Sequence, residues 1–483
     1  MSNGKLCIRD ELPDIAGREG EVFEATHRKG PIFLNCTNIS IGALKSAFGI
    51  ALHMHQPMVL QNGDITQAEV ISNLKQMFDH MEEGDNHNAP VFAWCYSRTA
   101  DFVRELVDHG KNPRVMLDYS GNLLWGLVKM GRGDILENLW SVTCDAKYQP
   151  YVEWLGSMWS HAVVPSTPVP DIPLHIRAWQ HHFASIFGLD ALSRIKGFSP
   201  PEMALPNAPD VAYAYVKALL TAGYKWIMVQ EHSVENLDGT SISSPHVPHS
   251  LAARNSEGET VSITALIKTQ GSDTKLVAQM QPYYEACSNG RLEMAGQSIP
   301  PYVLQIGDGE NGGVMMNEFP EAFRGTMVKF GTEGTVALNG TEYLELIGAA
   351  GLSPDHYIPI QPIGQKRIWD RFTGSDRKDL DRIIAEIKKE DSDFHMGGGS
   401  WTNDRSWVAD YDNVLDPINK VSALFHEKID NSGVNTNEYR YRNALTYLLL
   451  TQTSCYRYWG QGKYTDYAKE LCRRTEAILT HDF

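Results

Sequence analysis

The stretch IKGFSPPEMALPNAPDVAYAYVKALLTAGYKWIMV, residues 195–229, carries the pattern that decides the fold. It opens with a short candidate strand from Ile195 to Phe198, and Asp210 is placed to cap a helix that Gly223 ends. The apolar run from Tyr224 to Val229 then predicts a second strand. A strand, a helix and a strand in this order form a βαβ unit, which is the building block of a parallel sheet.

Three runs on either side of this stretch repeat the strand pattern. They are SAFGIALH from Ser46 to His53, PRVML from Pro113 to Leu117 and PYVLQI from Pro301 to Ile306. Each run is nearly continuously apolar, as expected of strands that are buried on both faces of a sheet. Helical spacing follows in Gly121 to Met130 and in Ile176 to Phe187. This alternation predicts an α/β fold with an all-parallel sheet, in which the loops after the strands build the site.

The last third of the chain has the apolar spacing of helices and lacks the alternation of strands and helices seen before it. Apolar residues recur there at helical spacing in three segments, Leu380 to Ile387, Tyr441 to Trp459 and Tyr464 to Leu479. We therefore expect a barrel domain over residues 1–370 and a helical domain over residues 371–483. The loop GGGSWTNDRSW, Gly397 to Trp407, combines glycines with tryptophans that are costly to leave in water, so we expect it to dock near the barrel mouth and help shape the substrate groove.

The overall composition excludes several classes of protein. Of 483 residues, 42% are hydrophobic and 21% are charged, which excludes a disordered chain and a polytopic membrane protein. The net charge of −16 disfavours nucleic acid as a partner. The N-terminus shows no signal peptide, no apolar run is long enough to cross a bilayer, and the seven cysteines are scattered without a C-x-x-C pair. We expect a cytoplasmic protein with reduced thiols and no membrane partner.

Two histidines stand at the end of the first predicted strand. In His53-Met54-His55-Gln56-Pro57, the alternation of a strand sends His53 and His55 to the same side, so both rings could face one pocket. Histidines buried within a barrel core are an alternative interpretation. A zinc site made by this pair with Asp308 is another, although local spacing fixes no third ligand.

Two carboxylates follow neighbouring predicted strands. Glu202 lies just past the strand in Gly197 to Ala204 (GFSPPEMA), where two prolines restrict the backbone and present the side chain rigidly. A carboxylate that attacks a sugar's anomeric carbon needs such rigidity. Glu231 follows the next strand, and two carboxylates that flank one bond are what glycoside hydrolysis requires.

These segments together resemble glycoside hydrolase family 57, the α-glucan-active family of amylases, 4-α-glucanotransferases and branching enzymes. The matching segments occur in the family's order along the chain. They are His53 to Pro57, Trp154 to His161, Gly197 to Glu202, Asp308 to Glu310 and, in the helical region, Ser454 to Gly460.

The resemblance implies an incomplete parallel (β/α)7 barrel with a C-terminal helical domain and a retaining mechanism that needs no cofactor. It implies that Glu202 is the nucleophile, that Asp308 forms hydrogen bonds to the substrate, and that histidines line the sugar subsite. The substrate-binding residues that we predict are His53, His55, Gln56, His161, Gln230, His232, Asp308 and Trp401.

The chain departs from the family at the acid/base position. The family usually places an Asp directly after the strand that ends here at Val229, and Gln230 occupies that position. An amide cannot donate and recover a proton, so we predict that Glu231 is the proton donor.

Three functions remain open at this stage. The first is a glycoside hydrolase or transglycosylase that acts on an α-linked glucan or oligosaccharide with retention. The second is a catalytically silent carbohydrate-binding protein of the same fold, which Gln230 would favour. The third is a metal-dependent deacetylase or mannosidase-like hydrolase, in which zinc would purify with the protein.

Overall fold

The computed structural model describes residues 8–9, 11–269, 274–310, 315–329, 334–374, 376–401, 407–458 and 462–483. Seven parallel strands form a closed ring in which each strand pairs with the next in the sequence and the seventh pairs with the first. In chain order, β1 to β7 are Ser46–Met54, Val115–Tyr119, Val152–Gly156, Gly197–Phe198, Trp226–Gln230, Thr260–Lys268 and Tyr302–Asp308. The prediction of a parallel α/β barrel is confirmed.

Neighbouring strands of the ring pair over unequal lengths. Strand β7 pairs with β1 from Tyr302 to Asp308, whereas β6 and β7 meet only through Lys268 and Leu304. The narrowest seam of the barrel therefore lies between β6 and β7.

Short strands outside the ring form hairpins or extend the sheet. They are Ile8–Arg9, Leu12–Pro13, Met58–Leu60, Val70–Ser72, Val234–Asn236, His249–Arg254, Leu292–Met294, Gln297–Ile299, Thr335–Ala337 and Ile358–Pro362. Of these, His249–Arg254 pairs antiparallel with β6.

Helices surround the barrel and make up most of the C-terminal region. They are Glu19–Thr26, Asn73–Asp79, Ala89–Asp108, Gly121–Lys129, Gly133–Cys144, Ile172–Phe187, Leu189–Ser193, Pro209–Thr221, Thr274–Ala278, Gln281–Ser288, Phe319–Val328, Gly340–Ala349, Gln365–Trp369, Arg377–Glu390, Asp412–Ile429, Tyr439–Leu450, Cys455–Tyr458 and Lys463–Asp482. Among the described residues, none of these helices is both long and apolar enough to span a bilayer.

The predicted βαβ unit is present, with one difference at the helix cap. The helix runs over Pro209–Thr221, and Ala208 occupies its N-cap. The carboxylate of Asp210 instead accepts a hydrogen bond of 2.7 Å from the backbone N–H of Ser256. Gly223 adopts a φ of +91° after the helix, as a C-terminal stop requires.

Three elements differ from the sequence prediction for physical reasons. Strands β3 and β6 were not predicted, because Glu153 interrupts the short apolar run of β3 and the polar residues Thr260, Ser262 and Thr264 interrupt the first half of β6. The helix predicted from Tyr441 to Trp459 is broken into Tyr439–Leu450 and Cys455–Tyr458, and Trp459 lies outside the described residues. The break is stabilised from outside the helix, since Thr453 forms a β-bridge with Ala162.

The barrel wall is packed by aromatic rings set against glycines. Tyr302 covers Gly49 and Tyr224 covers Gly156, and a Cβ atom at either glycine would overlap the tyrosine ring. Side chains of the C-terminal helices, such as Leu448 of Tyr439–Leu450, belong to the same hydrophobic cluster as the barrel. The division at residue 370 stays a prediction.

Buried charged groups lie at the end of the barrel where the strands begin. Arg114 donates two hydrogen bonds to the carboxylate of Glu342, at 2.6 and 2.9 Å. Glu153 of β3 is buried and accepts hydrogen bonds from the backbone N–H and hydroxyl of Thr341. Burial raises the pKa of Glu153 to about 8, against the opposing effect of these bonds and with the help of negative charge on Glu345 and Glu342.

We expect the pKa of Glu153 to make the protein less stable as the pH rises. A carboxyl group with a raised folded-state pKa contributes stability that is complete below its unfolded pKa and is lost as the pH passes through the folded value, here about 8. Each pH unit in this window removes up to about 1.4 kcal/mol from the free energy of unfolding. In Glu153→Gln, urea unfolding from pH 5 to 8 should show a smaller decline than the wild type. An identical decline in both proteins would contradict this account.

Candidate active site

A cavity of about 550 Å³ opens where the barrel strands end. Its volume lies within the range of small-molecule sites. The predicted site residues that line it are His53, His55, Gln56, His161, Glu202, Asp308 and Trp401. Three other predicted residues, Gln230, Glu231 and His232, are absent from the described lining.

Three histidine rings form a stack on one wall of this cavity. His161 lies between the other two, with ring centroids 4.1 Å from His55 and 4.6 Å from His53. The strand alternation therefore placed His53 and His55 on one side of β1, as the sequence indicated. His161, which follows β3, completes the group.

Each ring is fixed by a polar neighbour. The Nδ1 atom of His53 lies 2.9 Å from a carboxylate oxygen of Asp118. The Nδ1 atom of His55 shares a hydrogen bond of 2.7 Å with the hydroxyl of Ser120. On His161, Nδ1 makes the equivalent bond of 2.7 Å to Ser454. The stack is thus rigid before any ligand binds.

The three histidines differ in charge. Burial alone would lower the pKa of His53, but the charge and hydrogen bond of Asp118, aided by Asp308, raise it to about 10. Burial lowers the pKa of both His55 and His161 well below the usual value, and the positive charge of His53 adds to this effect. At neutral pH the stack therefore carries one cation, on His53, and two neutral rings.

Glu202 is held in a strained turn at the cavity wall. Its backbone is in the left-handed region, with a φ of 60°, which is costly for a residue other than glycine. His161 is strained in the same way, with a φ of 61°. The carboxylate of Glu202 is 7% exposed and lies 3.7 Å from Nδ1 of His161. Strain of this kind persists where the surrounding structure fixes a functional geometry.

The C-terminal region supports the turn that carries Glu202. Gly399 and Leu205 form two backbone hydrogen bonds, of 2.8 and 3.1 Å, and the N–H of Trp401 donates to the carbonyl of Glu202 at 3.3 Å. Trp407 is buried against Ala204 and Val163. Residues 402–406 of the predicted docking loop lie outside the described residues. Its described ends are in contact with the barrel mouth.

Two further acids lie at the end of β7, where Asp308 is the last residue of the strand and Glu310 follows it. Burial raises the pKa of Asp308, although the nearby cation of His53 opposes the shift and Asp118 adds to it. Burial also raises the pKa of Glu310, to about 8, and its carboxylate accepts hydrogen bonds of 3.2 and 3.3 Å from the backbone N–H of His55. The cavity thus holds acids that retain a proton more readily than exposed carboxyl groups do.

Gln230 is the last residue of β5, and Glu231 and His232 follow it. Gln230 is fully buried, and its Nε2 donates to the backbone carbonyl of Lys268 at 3.3 Å. Glu231 begins the turn Glu231–Ser233 and is partly exposed, and His232 forms a hydrogen bond through Nε2 to the carbonyl of Ser400. Neither Glu231 nor His232 is among the described residues that line the cavity. That these two side chains face the substrate stays a prediction.

Several residues that shape the site were not predicted from the sequence. Asp118 lies near the end of β2 and Ser120 follows it, where the rule that polar residues gather at strand ends could have found them. Ser454 and Cys455 were assigned to the inside of a helix, so no local signal indicated their role. The Sγ atom of Cys455 lies 3.4 Å from Nε2 of His55.

Among the described residues, the three histidines do not form a close cluster of potential metal ligands with the acids of the cavity. Hydrogen bonds to Asp118, Ser120 and Ser454 occupy the Nδ1 atom of each ring. Within the described part of the chain, the only three potential ligands whose donor atoms cluster closely are His80, Glu82 and Glu83, which lie outside this cavity. The donor set thus gives no support to the zinc interpretation of His53, His55 and Asp308.

The chain is similar to one protein family in part of its sequence and to several solved structures in its fold. The family model described as glycosyl hydrolase family 57 matches residues 49–274. The chain is similar in structure to a 4-α-glucanotransferase from Thermococcus litoralis, with 15% identity, a TM-score of 0.54 and 91% of this chain covered. It is also similar to the α-amylase AmyC from Thermotoga maritima, with 10% identity and a TM-score of 0.51, covering 90% of this chain and 93% of that one.

These likenesses concern the fold. This chain spans 60% of the length of the Thermococcus litoralis protein. No match was found among curated proteins.

Proposed function

We propose that the protein cleaves α-linked glucan with retention and passes the sugar to water or to another sugar, because the model of glycosyl hydrolase family 57 matches residues 49–274. One observation carries this proposal. The buried carboxylate of Glu202 is held in a strained turn against His161, in the same cavity as Asp308. A rigid nucleophile and a second acid in one cavity are the groups that a retaining glycosidase needs.

In the first step, Glu202 attacks the anomeric carbon and forms a glycosyl ester as the glycosidic bond breaks. The leaving sugar oxygen takes a proton from Asp308. In the second step, Asp308 accepts a proton from water or from a sugar hydroxyl, whose oxygen attacks the anomeric carbon and releases Glu202. The proton and both bonds are thereby restored, so no cofactor is consumed.

The choice of Asp308 as proton donor rests on its position and protonation. Asp308 lines the cavity, whereas Glu231 does not, and Gln230 cannot release a proton. Burial raises the pKa of Asp308, which favours the protonated form that the first step requires. The cation of His53, fixed by Asp118, is the counter-charge that stabilises Asp308 once its proton has left.

Incubation with maltoheptaose tests the proposed function directly. We expect wild-type protein to convert it into other maltooligosaccharides, and products longer than seven units would identify a sugar as the acceptor. Chromatography of the products over time provides the measurement, with Glu202→Gln as the inactive control. Binding of maltoheptaose without any conversion by the wild type would favour the silent carbohydrate-binding protein instead.

We further propose that the protein is cytoplasmic. The proposal rests on the thiol state of the described cysteines that are scattered over the chain, Cys36, Cys144, Cys287, Cys455 and Cys472. Two of these, Cys455 and Cys472, have pKa values that burial raises to about 12, so they remain protonated.

A further inference from the structure

Part of the cavity wall comes from a segment outside the seven barrel strands, and we call this part of the wall the side arm. The groups assigned to catalysis lie just after β4 and at the end of β7. The side arm is instead formed by one continuous segment, residues 73–92, which runs from the helix Asn73–Asp79 to the first turn of the helix Ala89–Asp108. Its lining residues are Asn73, Met77, Asp85, Asn86 and Phe92.

We propose that the side arm is a subsite for a second sugar ring of the glucan, next to the ring that Glu202 attacks. This inference rests on the proposed function. It names the part of the site that determines how many sugar units of the glucan are bound. It also identifies residues of this chain that set the preference for oligosaccharides over single-ring glucosides.

The composition of the side arm suits a neutral pyranose. Met77 and Phe92 supply apolar surface, against which the C–H groups of a sugar ring can be buried. Asn73, Asn86 and Asp85 supply the amide and carboxylate groups that form hydrogen bonds to hydroxyls. Neither Lys nor Arg occurs among the described residues that line the cavity, so a phosphorylated sugar would find no cationic partner there.

The polar groups of the side arm are already oriented. The Nδ2 atom of Asn86 donates to the carbonyl of His80 at 2.9 Å. The Nδ2 atom of Asn73 donates to Oε1 of Gln56 at 2.8 Å. Because these bonds fix both amides, a sugar that binds here does not have to restrict them further.

The side arm is also tied directly to the histidine stack. The backbone N–H of Asn73 donates to the carbonyl of Pro57 at 2.9 Å, and Gln56 is the neighbour of His55 in the sequence. The helix Asn73–Asp79 that carries Met77 begins at this bond, and Ser72 caps it through a bond of 3.2 Å to the N–H of Leu74. Two neighbouring sugar rings of one glucan can therefore lie across the surface that joins the histidine stack to the side arm.

The test compares Phe92→Ala and Asn86→Ala with wild type on two substrates, maltotetraose and 4-nitrophenyl α-glucoside. Both variants should lose more kcat/KM on maltotetraose than on the aryl glucoside, by a further factor of about ten. The matched control is Phe23→Ala, which removes an aromatic side chain that is 56% exposed and does not line the cavity. This control should change neither value.

Two results would overturn the inference. Equal losses on both substrates would show a general defect, and no loss on maltotetraose would show that no ring occupies the side arm. If the wild type converts neither substrate, titration calorimetry with maltotetraose decides the question. Weaker maltotetraose binding by Phe92→Ala than by the wild type would then support the subsite while the proposed enzymatic function fails, and equal binding would overturn the subsite.

Discussion

Glu202→Gln should lose nearly all turnover of α-glucan, by a factor of about 10⁴ or more in kcat. A carboxamide is a poor nucleophile at an anomeric carbon, and the glycosyl ester that divides the reaction into two steps cannot form. The turn is expected to survive the change, because its backbone bonds to Gly399 and Trp401 do not involve the carboxylate. Steady-state assays on maltoheptaose measure the loss.

Binding provides the control for this variant. The amide preserves the shape of Glu202 and still faces His161, so maltotetraose should bind to Glu202→Gln about as tightly as to the wild type. Calorimetry measures this affinity, and circular dichroism verifies the fold. Substantial residual turnover by a folded variant would rule out Glu202 as the nucleophile.

Asp308→Asn should be the second most damaging change, and its effect should depend on the leaving group. Loss of a general acid costs typically about 10² to 10⁴ in rate when the departing oxygen must be protonated. A 4-nitrophenyl leaving group departs without that help, so the first step with the aryl glucoside should be much less affected. The ratio of kcat/KM between maltotetraose and the aryl glucoside measures this dependence.

Glu231→Gln is the matched control for the proton donor, since it removes a carboxylate that lies outside the cavity lining. We expect it to show no dependence on the leaving group. If Glu231→Gln shows that dependence and Asp308→Asn does not, Glu231 is the acid, as the sequence alone favoured. Activity that appears only in Gln230→Asp would instead show that the natural chain lacks an acid.

Five of the seven barrel strands could be predicted because each of the five is a local apolar run. Apolar runs such as Ser46 to His53 mark strands wherever both faces are buried, and alternation within the run was sufficient to place His53 and His55 on one wall. Glu202 was predictable for a similar reason, since the two prolines before it restrict the backbone. Strands β3 and β6 escaped prediction because polar residues interrupt their apolar runs.

The rest of the site depends on contacts between distant parts of the chain. Ser454 reaches His161 across 293 positions, and nothing in the apolar spacing of the C-terminal helices shows where the chain breaks to allow it. Whether Glu231 points into the cavity could not be predicted from the sequence, because a shift of one residue at the end of a strand reverses the direction of a side chain. The end of β5 at Gln230 pairs with β6, a strand that the sequence did not show.

A covalent trap tests the central claim most directly. A 5-fluoro-α-glucosyl fluoride should glycosylate the wild-type protein and then hydrolyse slowly, because fluorine beside the ring oxygen disfavours the oxocarbenium-like transition state of the second step. Peptide mass spectrometry should find one fluoroglucosyl group, attached to the carboxylate of Glu202 and absent from Glu202→Gln. An adduct on Asp308 or Glu310, or turnover of maltoheptaose with no adduct on Glu202, would contradict the account.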